Sequence, residues 1–212
     1  LRPRARQLLA PLVEMLAGIP SVVLGLLAAL VVGPWIQSML TTTYAANALV
    51  ASIALSIAVA PIIFAVSLEG FLAVPKDLRE ASYALGARRY QTALNVVLPA
   101  AAPAVVAALT LGFGRAIGET MIVLMASGNA AVFDLAPTSG ARTITATIAA
   151  ELGETAEASH HWSVLFFLGL ALMTFTLALD WAGRALTRVL VRRQARPHQA
   201  PSEKRRLGEV IA

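Results

Sequence analysis

The sequence has no cysteine and few charged residues. Its 212 residues include no Cys, and Asp, Glu, Lys and Arg together make up only 14%, whereas roughly a quarter of a soluble domain is charged. The missing cysteines exclude a disulfide framework, a thiolate metal site and a cysteine nucleophile. The low charge, with 58% hydrophobic residues and a mean hydropathy of +0.72, predicts a polytopic membrane protein.

Several motifs of enzyme active sites are also missing. The sequence has no G-x-x-x-x-G-K-[ST] phosphate loop, so the chain cannot hydrolyse ATP by that route. It has neither a zinc-binding H-E-x-x-H nor a nucleophile elbow. His160 and His161 are adjacent, point in different directions and have no obvious third ligand, so we expect a solvated loop end there. The sequence therefore predicts no catalytic residue, no metal site and no cofactor in this chain.

Long apolar segments are the main positive feature of the sequence. Crossing a membrane takes roughly 20 apolar residues. We predict spans at residues 21–32 with an upstream extension, 47–68, 100–127 and 162–181. Residues 8–18 are interpreted as an interfacial helix, residues 33–45 as a short connection, and Pro61 as a kink in the second span. Trp162 and Trp181 flank the fourth span as an interfacial aromatic belt would. The predicted fold class is all-α, a transmembrane helical bundle.

The basic residues indicate which side of the membrane each segment occupies. All but two of the 17 Lys and Arg residues fall at the N-terminus, just before the third span or between Arg184 and the C-terminus. Four crossings place these three segments on one side, which the positive-inside rule identifies as the cytoplasm. The exceptions are Arg115, in the third span, and Arg142, in the outward-facing loop of residues 128–161. We predict a membrane domain at residues 1–190 and a basic, disordered cytoplasmic tail at residues 191–212.

A polar stretch at residues 78–99 separates the second span from the third. It predicts a short helix, a break at Gly86, a second helix and a stop at Pro99. The sequence is E-A-S beginning at Glu80, three residues, Gly86, nine residues and V-V-L-P ending at Pro99. An ordinary amphipathic loop is the alternative, although this spacing between two spans rarely arises by chance. We interpret the stretch as a docking surface, where Glu80, Arg88 and Arg89 can form ion pairs with a partner.

This pattern resembles the EAA signature of permeases in ABC-type importers, which is E-A-A, three residues, G, nine residues and I-x-L-P. The sequence departs from the signature at Ser82 and Val96, and both changes are mild. The resemblance implies a MetI-like permease core whose coupling loop, residues 75–99, inserts a helix pair into a cytoplasmic ATPase. It also implies these coupling residues: Glu80, Ala81, Ser82, Gly86, Leu98 and Pro99.

The third predicted span contains two ionisable residues, Arg115 and Glu119. Intramembrane charges are costly and usually face a bundle interior or an aqueous path. Four residues apart in one helix, they would share a face and could form a structural ion pair, as Asp180 and Arg184 are expected to do. The alternative is anion handling, because guanidinium offers bidentate donors to tetrahedral oxyanions. A nearby carboxylate would then favour hydrogen phosphate over sulfate.

The run G-R-A-I-G-E-T-M, which starts at Gly114, resembles the permeases of the Pst phosphate importer, of the PstC type more than the PstA type. Sulfate and molybdate permeases have a similar R-A-x-G-E that usually continues with Phe-Gly, whereas this sequence continues with Thr-Met. The resemblance covers residues 8–191 and implies further spans upstream of this chain. It also implies a substrate pathway past Arg115, Glu119 and Thr120.

The resemblance implies a function and a set of partners. The chain would be a non-enzymatic permease subunit that moves inorganic phosphate across the bacterial inner membrane, with both ends of this segment cytoplasmic. Its partners would be an ATPase in two copies, which binds the ATP, a second permease of the PstA type, an extracytoplasmic phosphate-binding protein and the lipid bilayer, but no nucleic acid. The alternatives are a permease for sulfate or molybdate, a membrane scaffold or regulator, and an intramembrane enzyme.

Overall fold

A computed structural model describes residues 11–194 of the chain, with side chains described through residue 192. The arginines of the first ten residues and the tail beyond residue 194 lie outside the described residues. Within them the secondary structure is helical, apart from turns and an isolated bridge between Gly128 and Ala141. The predicted all-α class is therefore confirmed.

The helices of the described residues are numbered here in chain order, after a helical stretch at residues 11–17. They are α1 (Ser21–Leu40), α2 (Ala48–Ala73), α3 (Lys76–Ala84), α4 (Arg89–Gly118), α5 (Met121–Ala126), α6 (Ile144–Glu151) and α7 (His160–Gln194). Four of them, α1, α2, α4 and α7, are long and apolar enough to cross a membrane, in agreement with the four predicted spans. The predicted boundary at residue 190 falls inside α7.

The first span extends downstream, not upstream as the sequence predicts. It passes through Pro34 to Leu40 because residues Ala28–Val32 form a wide π turn, closed by the Gly33 N–H bonding to the Ala28 carbonyl. Pro34 then lies in the first turn of the next α-helical segment, where its missing N–H is not needed. Residues 33–40 are thus helix, and the connection begins at Thr41.

The same arrangement explains why α4 does not stop at Pro99, so that prediction is wrong. A π turn at Ala93–Val97 is closed by the Leu98 N–H bonding to the Ala93 carbonyl. Pro99 therefore lies in the first turn of a new α segment that runs on to Gly118. The second helix of the polar stretch and the third span are one continuous element.

Helix α2 lies at the centre of the bundle. One face shares a hydrophobic core with α1 and α5, and its members from α2 are Val50, Ala51, Ala54 and Ala58. Against α4, Gly70 lies on Ala104 and Gly112 on Ile63, with no room for a Cβ at either glycine. Small residues let membrane helices approach closely, so van der Waals contact can hold them together.

Two further contacts complete the bundle. Asn47 is fully buried at the start of α2; its Oδ1 accepts a hydrogen bond from the Val50 N–H at 3.0 Å, and its own N–H donates to the Ala126 carbonyl at 3.0 Å. Helix α7 packs along α4, where Gly183 lies directly against Thr110. These contacts fix α5 and α7 relative to the central α2–α4 pair.

Candidate functional site

The helix that carries Arg115 ends before Glu119. The backbone of Glu119 is extended, with φ −71° and ψ 124°, and α5 starts afresh at Met121. The predicted continuous span over residues 100–127 is therefore wrong. The prediction that Arg115 and Glu119 share one helix face is also wrong. Among the described residues, no ion pair joins these two side chains.

A hydrogen bond from a distant helix holds this break open. The Oγ1 of Thr145, in the first turn of α6, donates to the Glu119 carbonyl at 3.0 Å. The Thr120 hydroxyl donates to the Gly118 carbonyl at 3.4 Å. Carbonyls that would otherwise continue the α4 ladder are thus bound by side chains, and the side chains of Glu119 and Thr120 are left half-buried at the break.

Arg115 lies in the last turn of α4 and is exposed in this chain. It lines a groove of about 400 Å³ between α4 and α7, together with polar residues that include Thr110, Thr176 and Asp180. The negative end of a helix dipole favours a cation at this position. Within the described residues its guanidinium has no hydrogen bond or ion pair, so its donors are available to a ligand.

Asp180, on the opposite wall of the groove, is paired with another residue. The Arg184 Nε and Nη2 both donate to its Oδ2, at 2.9 and 2.6 Å. The pair predicted from the i, i+4 spacing is confirmed. Because Arg184 neutralises Asp180, the groove keeps the positive charge of Arg115.

The loop of residues 128–161 contains structure that sequence reasoning missed. It folds into α6, whose N-cap Thr143 accepts a hydrogen bond from the Ala146 N–H at 3.3 Å. A threonine followed by the largely apolar run I-T-A-T-I-A-A is a helix-start signal that could have revealed it. Helix α6 matters to the site because its Thr145 maintains the break at Glu119.

A charged cluster joins three parts of this outer region. The Arg142 Nη1 contacts the Glu151 Oε1 at 2.7 Å, and the His161 Nε2 contacts the Glu151 Oε2 at 2.9 Å. The Arg142 Nε also donates to the Asn129 carbonyl at 3.2 Å. The prediction of a solvated loop end at His160 and His161 thus misses a contact. His161 is more than half exposed but fastens the start of α7 to the end of α6.

The segment before α6 has an exposed apolar tip and a tight polar turn. Phe133 and Leu135 are almost fully exposed. Between them, the Asp134 carboxylate accepts hydrogen bonds from the Ser139 hydroxyl at 2.5 Å and the Ala136 N–H at 3.0 Å. The hydrogen bond from Ser139, and to a smaller extent that from Ala136, holds the pKa of the Asp134 carboxyl below its ordinary value.

At the other end of the bundle, residues 76–92 form a protruding helix–turn–helix, called the elbow from here on. Gly86 has φ +81°, its N–H donates to the Tyr83 carbonyl at 2.9 Å, and the Ala87 N–H donates to the Ser82 carbonyl at 3.2 Å. This pair of bonds is a Schellman motif, which requires a left-handed residue at the Gly86 position. The predicted helix, glycine break and second helix are confirmed.

The elbow separates the six predicted coupling residues into two groups. Glu80 and Ala81 are exposed on α3, Ser82 is half-buried, and Gly86 forms the turn. Leu98 and Pro99 lie about nine or ten residues along α4, roughly 15 Å from its start at 1.5 Å per residue. The first group lies within the elbow, whose exposed apolar side chains include Leu85 at 89% exposure, and Leu98 and Pro99 lie beyond it.

Helices that break within the membrane are common in transport proteins, and α4 ends in such a break at Glu119. Residues 1–192 match the family described as binding-protein-dependent transport system inner membrane component. The chain belongs to this family, and it is a multi-pass membrane protein.

Three curated relatives are named as permease proteins. The chain is 37% identical over 171 residues to the probable ABC transporter permease protein YqgH of Bacillus subtilis, covering 81% of this chain and 55% of that protein. It is 32% identical over 201 residues to the phosphate transport system permease protein PstC of Xylella fastidiosa, covering 86% and 61%. It is 36% identical over 199 residues to the phosphate transport system permease protein PstC 1 of Mycobacterium tuberculosis, and the match covers 82% of this chain and 58% of that protein. The chain thus spans between 55% and 61% of the length of these curated relatives.

Solved structures support the fold. An inward-facing structure of the MetNI methionine ABC transporter matches with a TM-score of 0.67 and 22% identity, covering 88% of this chain and 76% of that one. The predicted MetI-like permease core and the resemblance to phosphate transport permeases are therefore both confirmed.

Proposed function

We propose that the chain forms the permease core of an ATP-driven importer of inorganic phosphate. The observation that carries this proposal is Arg115, an exposed and unpaired guanidinium at a break in a membrane-spanning helix. Relatives named as phosphate transport permeases, at 32% and 36% identity, support phosphate as the cargo. Sulfate or molybdate is the nearest alternative, because guanidinium binds any tetrahedral oxyanion.

The site can recognise phosphate through complementary groups. The planar guanidinium of Arg115 can donate two parallel hydrogen bonds to two phosphate oxygens. The half-buried Glu119 carboxylate lies at the break and does not line the groove of Arg115. It has no ion-pair partner among the described residues, and it would accept a hydrogen bond from a protonated phosphate oxygen as the anion passes the break. Sulfate has no such proton at neutral pH, so Glu119 would repel it. Thr120 offers a hydroxyl beside the same break.

The elbow is the proposed contact with a separate ATPase. Its exposed Leu85, Glu80, Arg88 and Arg89 provide an apolar centre with charges of both signs, as protein interfaces often do. The ATPase, present in two copies, would bind and hydrolyse the ATP, so this chain would need no cofactor and would not be an enzyme. A second permease of the PstA type and an extracytoplasmic phosphate-binding protein complete the proposed assembly.

The orientation follows from the same assignment. The elbow would face the cytoplasm of a bacterial cell, together with both ends of this segment. The loop of residues 128–161, with its charged cluster and apolar tip, would face outward and receive the binding protein. The basic residues of the elbow and of the inner end of α7 support this orientation through the positive-inside rule.

Substituting Arg115 tests the transport site. In proteoliposomes containing the assembled transporter, Arg115→Ala should lower ATP-dependent phosphate uptake by about tenfold or more, because charged hydrogen bonds to the anion are lost. Arg188→Ala is the matched control: it removes an exposed arginine near the inner end of α7 and should leave uptake unchanged. Equal uptake by the Arg115→Ala variant and the wild type would contradict this role.

A further inference from the structure

The orientation of α3 depends on few contacts. No residue of α3 is buried in the described part of the chain, so a hydrophobic core does not fix its angle. Two residues, Val74 and Pro75, connect it to α2, and the turn at Gly86 connects it to α4. Val74 is buried and the ring of Pro75 fixes its φ, so only a few backbone angles can turn at these joints, and polar contacts add to what sets the angle of α3.

Arg79 makes the polar contact between α3 and α2. Its Nη2 donates to the carbonyl oxygen of Phe71 at 2.7 Å. Phe71 lies in the last turn of α2, where carbonyls have no partner within the helix, and α2 has no basic residue of its own in that turn. Arg79 therefore caps α2 from the neighbouring helix and meets the negative end of its dipole. Its Nε is shielded from solvent, so the guanidinium is inserted into the joint.

A second bond joins α3 to the base of α4. The Ser82 Oγ and the Thr92 Oγ1 lie 2.9 Å apart, and Thr92 is buried. Ser82 is one of the two positions at which the sequence departs from the E-A-A pattern, and the hydroxyl it introduces makes this bond. Helix α3 is thus fastened to the end of one span and to the start of the next.

We infer that Arg79 is a positioning residue of the coupling step. It makes α3 and α2 move as one body, so that a displacement of α3 by a bound ATPase reaches the membrane spans. Helix α4 begins in the elbow and receives a displacement of its own base directly, whereas α2 receives the displacement of α3 through Arg79. Helix α2 can pass it on, because its core face contacts α1 and α5 and Gly70 lies against Ala104 of α4. Without Arg79, α3 can turn about Pro75 and Gly86 and absorb the displacement. This inference rests on the proposed function.

The test measures phosphate moved per ATP hydrolysed by the assembled transporter in proteoliposomes. Arg79→Ala should lower this ratio by about tenfold, the factor expected for one hydrogen bond to a charged group, while the ATPase still co-purifies. Arg79→Lys, which keeps the charge and a donor, should restore most of the ratio. Arg188→Ala is the control, because it removes an exposed arginine that lies outside the elbow and should leave the ratio at the wild-type value.

The outcomes separate this inference from the proposed function. If the wild-type assembly hydrolyses ATP without taking up phosphate, the proposed function is wrong and the inference falls with it. If the wild type transports and Arg79→Ala moves as much phosphate per ATP, only the inference is overturned. Parallel losses of uptake and hydrolysis at a constant ratio also overturn it, since a destabilised protein would give that result.

Discussion

At the residue scale, two arginines occupy the same kind of position and differ in their partners. The guanidinium of Arg79, which belongs to α3, meets the C-terminal end of α2, and Arg115 lies in the last turn of α4, so each is favoured by the negative end of a helix dipole. Arg79 donates to the Phe71 carbonyl, whereas Arg115 has no partner among the described residues. The Arg79 guanidinium bonds across two helices through its Nη2, whereas the Arg115 guanidinium keeps all its donors for a ligand.

Gly86 allows a prediction at the same scale. Gly86→Ala should weaken co-purification of the ATPase, because a left-handed conformation costs an L-residue about 1–2 kcal/mol. The cause is conformational alone, since a Cβ at Gly86 would meet nothing within 4 Å. Gly153→Ala is the control, because that glycine has equal space and no positive φ. Pull-down of the ATPase by both variants measures the difference, and an equal yield would show that the turn does not position the docking surface.

At the scale of the element, the two prolines that the sequence associates with the end of a helix are both found inside one. Pro34 and Pro99 each follow a π turn, at Ala28–Val32 and Ala93–Val97. The wide turn shifts the hydrogen-bond register, so the proline enters where no N–H is required. The proline rule considers only the local sequence and could not foresee it.

The charged cluster on the outer face yields a prediction at the same scale. Glu151→Gln should lower the melting temperature of the purified complex, because Glu151 joins Arg142 before α6 to His161 at the start of α7. The side chains are partly exposed, at 33%, 27% and 55% for Arg142, Glu151 and His161, so each contact contributes about 1 kcal/mol or less. Glu154→Gln, with no side-chain partner among the described residues, should leave the melting temperature unchanged. Equal melting temperatures of the Glu151→Gln and Glu154→Gln variants would show that the cluster does not stabilise the contact between α6 and α7.

At the scale of the whole molecule, the sequence predicts the spans and the elbow but not the site. Span count, the glycine turn and the Asp180–Arg184 pair depend on hydropathy or on neighbours within one turn. The break at Glu119 depends on Thr145, 26 residues later in the chain, and α6 must fold back before that bond can form. The shared helix face expected for Arg115 and Glu119 is absent, because the i, i+4 geometry presupposes a helix that continues past Gly118.

Within this chain, two helices connect the elbow to the membrane spans. Helix α4 begins in the elbow and ends at Gly118, so a force on its base acts on the element that carries Arg115. Helix α2 runs beside it and is attached to the elbow through Arg79. Under the proposed function, a shift of both helices would change the distance between Arg115 and α7 across the groove.

The most direct test of the central claim is ATP-driven uptake by the reconstituted transporter. The complete assembly in proteoliposomes, with ATP on the side of the elbow and binding protein on the other, would be given radiolabelled phosphate or radiolabelled sulfate. The account predicts uptake of phosphate that requires ATP and is not reduced by an excess of unlabelled sulfate. ATP-dependent accumulation of sulfate in place of phosphate, or no accumulation of either anion by an assembly that hydrolyses ATP, would contradict it.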